Sequence, residues 1–346
     1  RNLLGMAAMW HKTAGSLYKF FPLLSEIDRR FADAPPDCVV ILDYPGFNFP
    51  LARRCKSRGI PVLYYIPPQM WAWGKFRMGK LRDRVSRVAC IFPFEEPMYR
   101  EAGVPVRYVG HPLMDALADE LASDSTVQAF AGGSPKIGLL PGSRKQEVET
   151  LLPAMIATAA GIREKFPGAE FTVSRAHESL AEVMDPHLAT EPARRLSLKV
   201  HPGTSYDIMR QADLVLVASG TATLECALFG VPMIILYHVD WAAAQVARRM
   251  ITSPFIGLAN VVAGKGVVPE FAPRLPPIPV IVQSAVELLS DPARCAAVRV
   301  ELAEVRRKLG GAGASDRAAE EVLALCGESQ RRHQARGRRG TAGAIW

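Results

Sequence analysis

The chain has 346 residues, 49% of them hydrophobic, and its 42 Lys and Arg against 34 Asp and Glu give a formal charge of +8. That length is beyond what one hydrophobic core fills, so two domains are expected. Six cysteines scattered through apolar runs, with no CxxC pair, argue against a disulfide framework or a clustered zinc site and fit a reduced, cytosolic protein.

At the amino end, residues 3–24 combine Met, Trp, Phe and Leu, but His11, Lys12 and Lys19 interrupt them, so no membrane span is expected, and no signal-peptide pattern is visible. Short β-branched or aromatic runs follow at Val39–Asp43, Val62–Ile66, Val88–Phe92 and Val106–Val109, separated by helical periodicity as at Phe49–Arg58 and Glu95–Ala102. A less patterned connection spans 112–134. Strands are then expected at Lys136–Leu140, Phe171–Ser174, Leu198–Val200, Leu214–Ala218, Met233–Tyr237 and Pro279–Val282, with helices at Gln146–Lys165, Thr221–Phe229 and Trp241–Met250. Helical patterns at Pro292–Lys308 and Asp316–Leu325 have no strand to serve. Residues 331–346 carry five arginines and no acid, and their Gly/Ala/Arg composition predicts a basic, disordered tail. Two consecutive strand–helix arrays predict an α/β protein of two Rossmann-like domains, with ligands beyond the carboxyl ends of the strands in the cleft between them.

Two strand-to-helix turns carry the chemistry. Residues 138–147 read GLLPGSRKQE and residues 218–225 read ASGTATLE, each an apolar strand entering a small-residue turn that opens a helix. Backbone amides at Gly142 and Ser143, and at Ser219, Gly220 and Thr221, can converge on an anion while each helix adds the positive end of its dipole. Arg144 supplies a planar fork of donors suited to phosphate oxygens, and Glu225, one turn into the second helix, can accept from sugar hydroxyls. The set points to a nucleotide sugar held through its diphosphate. No Asp-x-Asp occurs, and His201 and His238 lack metal-site spacing, so neither metal nor cofactor is expected.

Six ordered segments then identify a resemblance: LDYPGFNFPLA at 42–52, GIPVLYYIPPQMWAW at 59–73, FPFEEPMYREAGVPVRYVGHPLMD at 92–115, GLLPGSRKQEV at 138–148, ASGTATLECALFGVPMIILY at 218–237 and LANVVAGKGVVPE at 258–270. Together they resemble the lipid-A-disaccharide synthases, glycosyltransferases of the two-domain GT-B type. The resemblance implies inverting transfer of 2,3-diacylglucosamine from UDP to 2,3-diacylglucosamine 1-phosphate, giving a β-1,6 disaccharide and UDP. It implies an acceptor-side domain at 1–115, a UDP-sugar domain at 116–310 and a C-terminal helix at 311–330 that could return to the first domain, while the tail at 331–346 lies outside the family pattern. It also implies that about the first fifth of a family chain, with its first strand and glycine-containing loop, precedes residue 1.

Site residues follow the same resemblance. Asp43, at the end of a predicted strand, corresponds to the family's candidate base; from the residues alone it is equally a helix N-cap. Asn260 completes the UDP pocket by analogy, and its alternative is a turn former. Gln69, Trp71 and Trp73 lie on a loop assigned to the acceptor and lipid side, where the tryptophans serve binding or packing alike. Glu95 and Glu96 are competing acids, read first as first-turn residues favoured by the helix dipole, and His111 is read as a turn ligand. The apolar residues 3–24 and the Lys75–Arg87 stretch, with six basic residues against Asp83, suit the surface of an anionic lipid, which predicts a cytoplasmic enzyme peripheral on the inner membrane, with no nucleic-acid partner. Other readings stay open: a cell-wall GlcNAc transferase or UDP-GlcNAc epimerase of the same fold, or a non-catalytic UDP-binding module.

Overall fold

The computed structural model describes residues 21–72, 74–122, 134–240, 245 and 253–342, with side chains except at residue 75 and residues 332–342. Trp73, residues 3–20 of the apolar amino-terminal stretch, and the helix expected at Trp241–Met250 apart from residue 245 lie outside it. The chain divides into two compact units.

One unit comprises the described parts of Gly5–Ala118 and Leu309–Trp346. Its sheet has four parallel strands, β1 (Val39–Leu42), β2 (Val62–Tyr65), β3 (Arg87–Cys90) and β4 (Val106–Tyr108), in that spatial order. Helix α1 covers residues 21–33, and α2 (Pro45–Ser57), α3 (Met78–Arg84) and α4 (Glu95–Glu101) make the crossovers. The period-two alternation of a strand sorts the side chains. Val62, Tyr64, Val88 and Cys90 enter a core with Leu24, Leu51, Ala52, Cys55 and Leu81, whereas Leu63 and Ala89 meet Ala318 and Leu325 on the other side.

Those last two belong to the C-terminal helix, α5 (Ala314–Ala342). Asp115 caps its start, accepting from the N–H groups of Gly313 (2.5 Å), Ala314 (3.1 Å) and Ser315 (2.8 Å). Farther along, the nearly buried Glu321 accepts from Arg87 at 2.8 Å and Arg107 at 2.6 Å. Residues 331–342 continue this helix, contrary to the disorder their composition predicts. Ala, Gln and Arg are good helix formers, and a helix already anchored upstream avoids the nucleation cost.

The other unit comprises the described parts of Asp119–Arg249 and Ser253–Lys308. Its strands are β5 (Lys136–Leu140), β6 (Glu170–Arg175), β7 (Lys199–Pro202), β8 (Leu214–Ala218), β9 (Met233–Leu236) and β10 (Glu270–Phe271), all parallel in the order β10-β9-β8-β5-β6-β7. Every residue of β8 and β9 is buried, as in a sheet covered on both faces. From β5 the chain winds outward through β6 and β7, then returns to lay β8 against the opposite edge of β5. That reversal is a topological switch point, where such sheets open a crevice.

The strand expected at Pro279–Val282 is instead the first turn of helix α8 (Ile278–Ser290), and the sheet's last strand is β10. Its buried residues, Ile281, Ala285, Leu288 and Leu289, recur at helical spacing. The helix packs against α6 (Lys145–Lys165) so closely that a Cβ on Gly161 would lie 2.6 Å from Val282 Cγ2.

Candidate functional site

The switch point places the two sequence-marked turns side by side. Leu140 near the end of β5 pairs with Val217 of β8, so the residues following each strand open onto one cavity of about 410 Å3. Gly142, Ser143, Arg144, Ser219, Gly220, Thr221 and Glu225 all line it, a volume within the range of small-molecule sites. Helix α6 begins directly after Arg144, and α7 (Thr221–Leu228) directly after Gly220; neither start has a side-chain cap, and both border the cavity, through Arg144 and through Gly220 and Thr221.

Two glycines permit this geometry. Gly142 has φ 109°, and a Cβ there would lie 3.0 Å from Glu147 Cβ. Gly220, at φ 156° and ψ −158°, occupies a region essentially closed to other residues. Ser219 is buried and anchored by its N–H to Leu236 O at 3.0 Å. Burial pushes the Glu225 carboxyl above the ordinary carboxylate range, and the Tyr206 phenol, shifted upward first by burial and then by Glu225, lines the same cavity.

The far wall was not marked in the sequence. Ser174 and Ala176 come from the end of β6, and Gly203, Thr204, Ser205 and Tyr206 from the connection after β7. They carry no local motif; only the sheet order brings them to the turns. Glu147 also lines the cavity and pairs with Arg144 three residues earlier.

Asn260 does not line the cavity, which corrects its assignment to the UDP pocket. Its fully buried amide donates to Val268 O (3.0 Å) and Glu270 Oε2 (3.1 Å) and accepts from the N–H groups of Val267 (2.9 Å) and Val268 (3.1 Å). Those four bonds exhaust a primary amide's main hydrogen-bonding directions, so the side chain fastens the 260–270 turn.

In the other unit, Asp43 is exposed at the end of β1 with φ 44°, followed by Tyr44 at φ 29°. Tyr44, not Asp43, holds the N-cap position of α2, and no side chain caps it. The unusual backbone is clamped from below: Asp43 O accepts from the Tyr64 hydroxyl at 2.5 Å and from Asn48 Nδ2 at 2.6 Å. Gln69 is half-buried on the loop after β2. Trp71 packs edge-on against Phe92 and Phe94 and donates to Glu95. Glu95 is 1% exposed and anchors a turn, while Glu96 pairs with Arg100 on the surface. Burial drives His111 down to about 4, so it is neutral near pH 7, and its Nδ1 accepts from the Leu113 N–H. Of the basic stretch, Lys80 and Arg82 are exposed, as is Phe76 at 69%, but Arg87 is drawn into the ion pairs with Glu321 and Glu328.

The family model described as lipid-A-disaccharide synthetase matches residues 11–323. The chain belongs to the lipid-A-disaccharide synthase family. A lipid-A-disaccharide synthase of Geobacter metallireducens is 39% identical over 319 residues, 91% of this chain and 81% of that protein. One of Geobacter sulfurreducens is 40% identical over 296 residues, covering 85% and 76%. Among solved structures, the chain is similar to the UDP-GlcNAc 2-epimerase of Neisseria meningitidis bound to UDP-GlcNAc, at TM-score 0.56, 14% identity and coverage of 88% and 81%. It is also similar to MurG of Acinetobacter baumannii, at TM-score 0.53, 16% identity and coverage of 90% and 78%. At those identities the likeness speaks to fold alone, and the fold is the GT-B fold of this glycosyltransferase family. The family match ends before residues 331–342, the part of α5 whose composition suggested disorder. Among the described residues of this lipid-A-disaccharide synthase family member, no cluster of His, Cys, Asp or Glu could hold a metal ion, and no helix is long and apolar enough to cross a membrane.

Proposed function

We propose that this chain transfers 2,3-diacylglucosamine from UDP to the 6-hydroxyl of 2,3-diacylglucosamine 1-phosphate, with inversion at the anomeric carbon. The observation that carries the reading is the shared cavity at the switch point, where both anion-binding turns and Arg144 meet in a chain of this family. The diphosphate lies against the Gly142–Ser143 and Gly220–Thr221 amides, with the Arg144 guanidinium on its oxygens. Charge that develops on the leaving UDP is met there by amides, helix dipoles and a guanidinium, without a metal ion. Glu225 accepts from a sugar hydroxyl.

Asp43 is the base. As the acceptor oxygen attacks the anomeric carbon, the bond from that carbon to the UDP oxygen breaks, UDP leaves with the bonding pair, and the hydroxyl proton passes to the Asp43 carboxylate. Phe76, Lys80 and Arg82 supply an apolar and cationic edge for the surface that carries the lipid substrates.

The test is direct turnover. Purified protein given UDP-diacylglucosamine and the monophosphorylated acceptor should yield UDP and a β-1,6-linked disaccharide, identified by mass spectrometry and NMR. UDP binding without disaccharide, or turnover of non-acylated UDP-GlcNAc to an epimer or a transferred sugar, overturns the proposal.

A further inference from the structure

The donor cavity contains an acid in a place where a phosphate site ordinarily avoids one. Glu147 sits in the first turn of α6, and its side chain is only 15% exposed, while that of Arg144, its ion-pair partner, is 48% exposed. The carboxylate also lies against the Gly142 turn: a Cβ on that glycine would lie 2.6 Å from Glu147 Oε2. One internal anion thus takes three features that would otherwise serve a diphosphate, namely the guanidinium, the glycine turn and the helix N-terminus.

We infer that Glu147 is a built-in competitor for the diphosphate, occupying Arg144 while the cavity is empty and reclaiming it as UDP leaves. The inference rests on reading this cavity as the UDP site. Glu147 is fixed by the helix that carries it, whereas the more exposed Arg144 side chain has room to turn toward a ligand. Binding exchanges one ion pair for another, which lowers net affinity for UDP and speeds its release. An enzyme that must shed UDP each turnover gains from this, because binding that is equally strong before and after reaction slows product departure. Glu147 is a positioning residue that acts through Arg144.

The experiment uses Glu147→Gln in the full chain, with UDP affinity measured by calorimetry and dissociation by stopped-flow displacement. The amide keeps the shape of the side chain and removes its charge. UDP should bind about 2- to 5-fold tighter, the size expected for losing one partly exposed competing charge pair, and should dissociate correspondingly slower. In an Arg144→Ala background the gain from Glu147→Gln should shrink to less than about half, because coupled neighbours are non-additive. Unchanged or weaker UDP binding in Glu147→Gln overturns the inference and makes Glu147 a support for Arg144. A gain undiminished without Arg144 also overturns it, leaving simple repulsion. Failure of the unaltered protein to bind UDP would instead refute the reading of the cavity itself.

Discussion

The indole N–H of Trp71 donates to Glu95 Oε1 across 3.1 Å, tying the loop after β2 to the turn after β3. The other carboxylate oxygen accepts from the N–H groups of Ile91 (3.3 Å) and Phe92 (3.2 Å). Burial nevertheless outweighs these three bonds and pushes the acid up to about 8. The acid that the sequence offered as a rival base is therefore a buried staple.

A pH dependence follows with a definite sign. An acid whose folded pKa lies above its unfolded value binds more protons when folded, so its contribution to stability is complete below about 4.5 and is lost as pH rises through about 8. The slope is about 1.4 kcal/mol per pH unit at most. Glu95→Gln should remove that slope, and it should also cost about 1–3 kcal/mol, since one oxygen cannot serve both Trp71 and the two amides. Thermal unfolding from pH 5 to pH 9 checks this: the deficit of the variant relative to the parent should be largest at low pH and narrow as pH rises. A deficit that is flat with pH would contradict the assignment.

Asp43 invites a variant that separates charge from backbone. At φ 44° an ordinary side chain is strained, but Asn tolerates the left-handed region nearly as well as Asp. Asp43→Asn should preserve the clamp from Tyr64 and Asn48, which holds the main-chain carbonyl, and leave UDP affinity unchanged. Turnover should fall by about two orders of magnitude or more, the usual contribution of a general base. Near-normal turnover in a folded Asp43→Asn protein would return Asp43 to a structural role.

Much of the architecture was legible because it rests on local pattern. The runs at 39–42, 62–65, 136–140, 214–218 and 233–236 are strands, and GSR and SGT do turn a strand into a helix. Two kinds of feature escaped. The Ile-Pro-Val-Ile-Val run at 278–282 is equally apolar in either conformation, and only Ala285, Leu288 and Leu289, beyond the run, disclose the helical period. The cavity wall at Gly203–Tyr206 depends on where β7 lies in the sheet, a tertiary fact. Glu147 stood in plain view within GLLPGSRKQEV, but helix-start acids are common, and only its contact with Arg144 sets it apart.

Asn260 supplies a contrast between fastening and binding. Its amide holds Val267, Val268 and Glu270, and Glu270 in turn accepts from the N–H groups of Ile256 (2.6 Å) and Gly257 (3.1 Å). Asn260→Ala strands several buried donors and acceptors, so it should destabilise the protein by about 3 kcal/mol or more. UDP affinity, measured by calorimetry below the unfolding transition, should change less than about two-fold, within the scatter expected for sites without shared partners. A large loss of UDP affinity with unaltered stability would restore Asn260 to the pocket.

Cys38 and Cys326 bring the two ends of one unit together: their sulfurs lie 3.0 Å apart, 288 positions apart in sequence. Cys38 shares an apolar cluster with Leu63, Ala89, Ala318 and Leu325, so α5 is already packed where a cross-link would form. Oxidised glutathione can drive it: thiolate attack on glutathione's disulfide releases one glutathione, and attack by the second protein thiolate releases another and closes the protein disulfide. Burial and the neighbouring Cys326 push the Cys38 thiol up to about 12, so the reaction should be slow at pH 7 and accelerate toward pH 9. Mass spectrometry should find the Cys38–Cys326 peptide pair, absent in Cys326→Ser. The closed loop should raise unfolding stability by about 2–4 kcal/mol, an increase that the serine variant should not show. A cross-linked protein that melts no higher than the reduced one would mean that α5 must shift from its packed position for the bond to form.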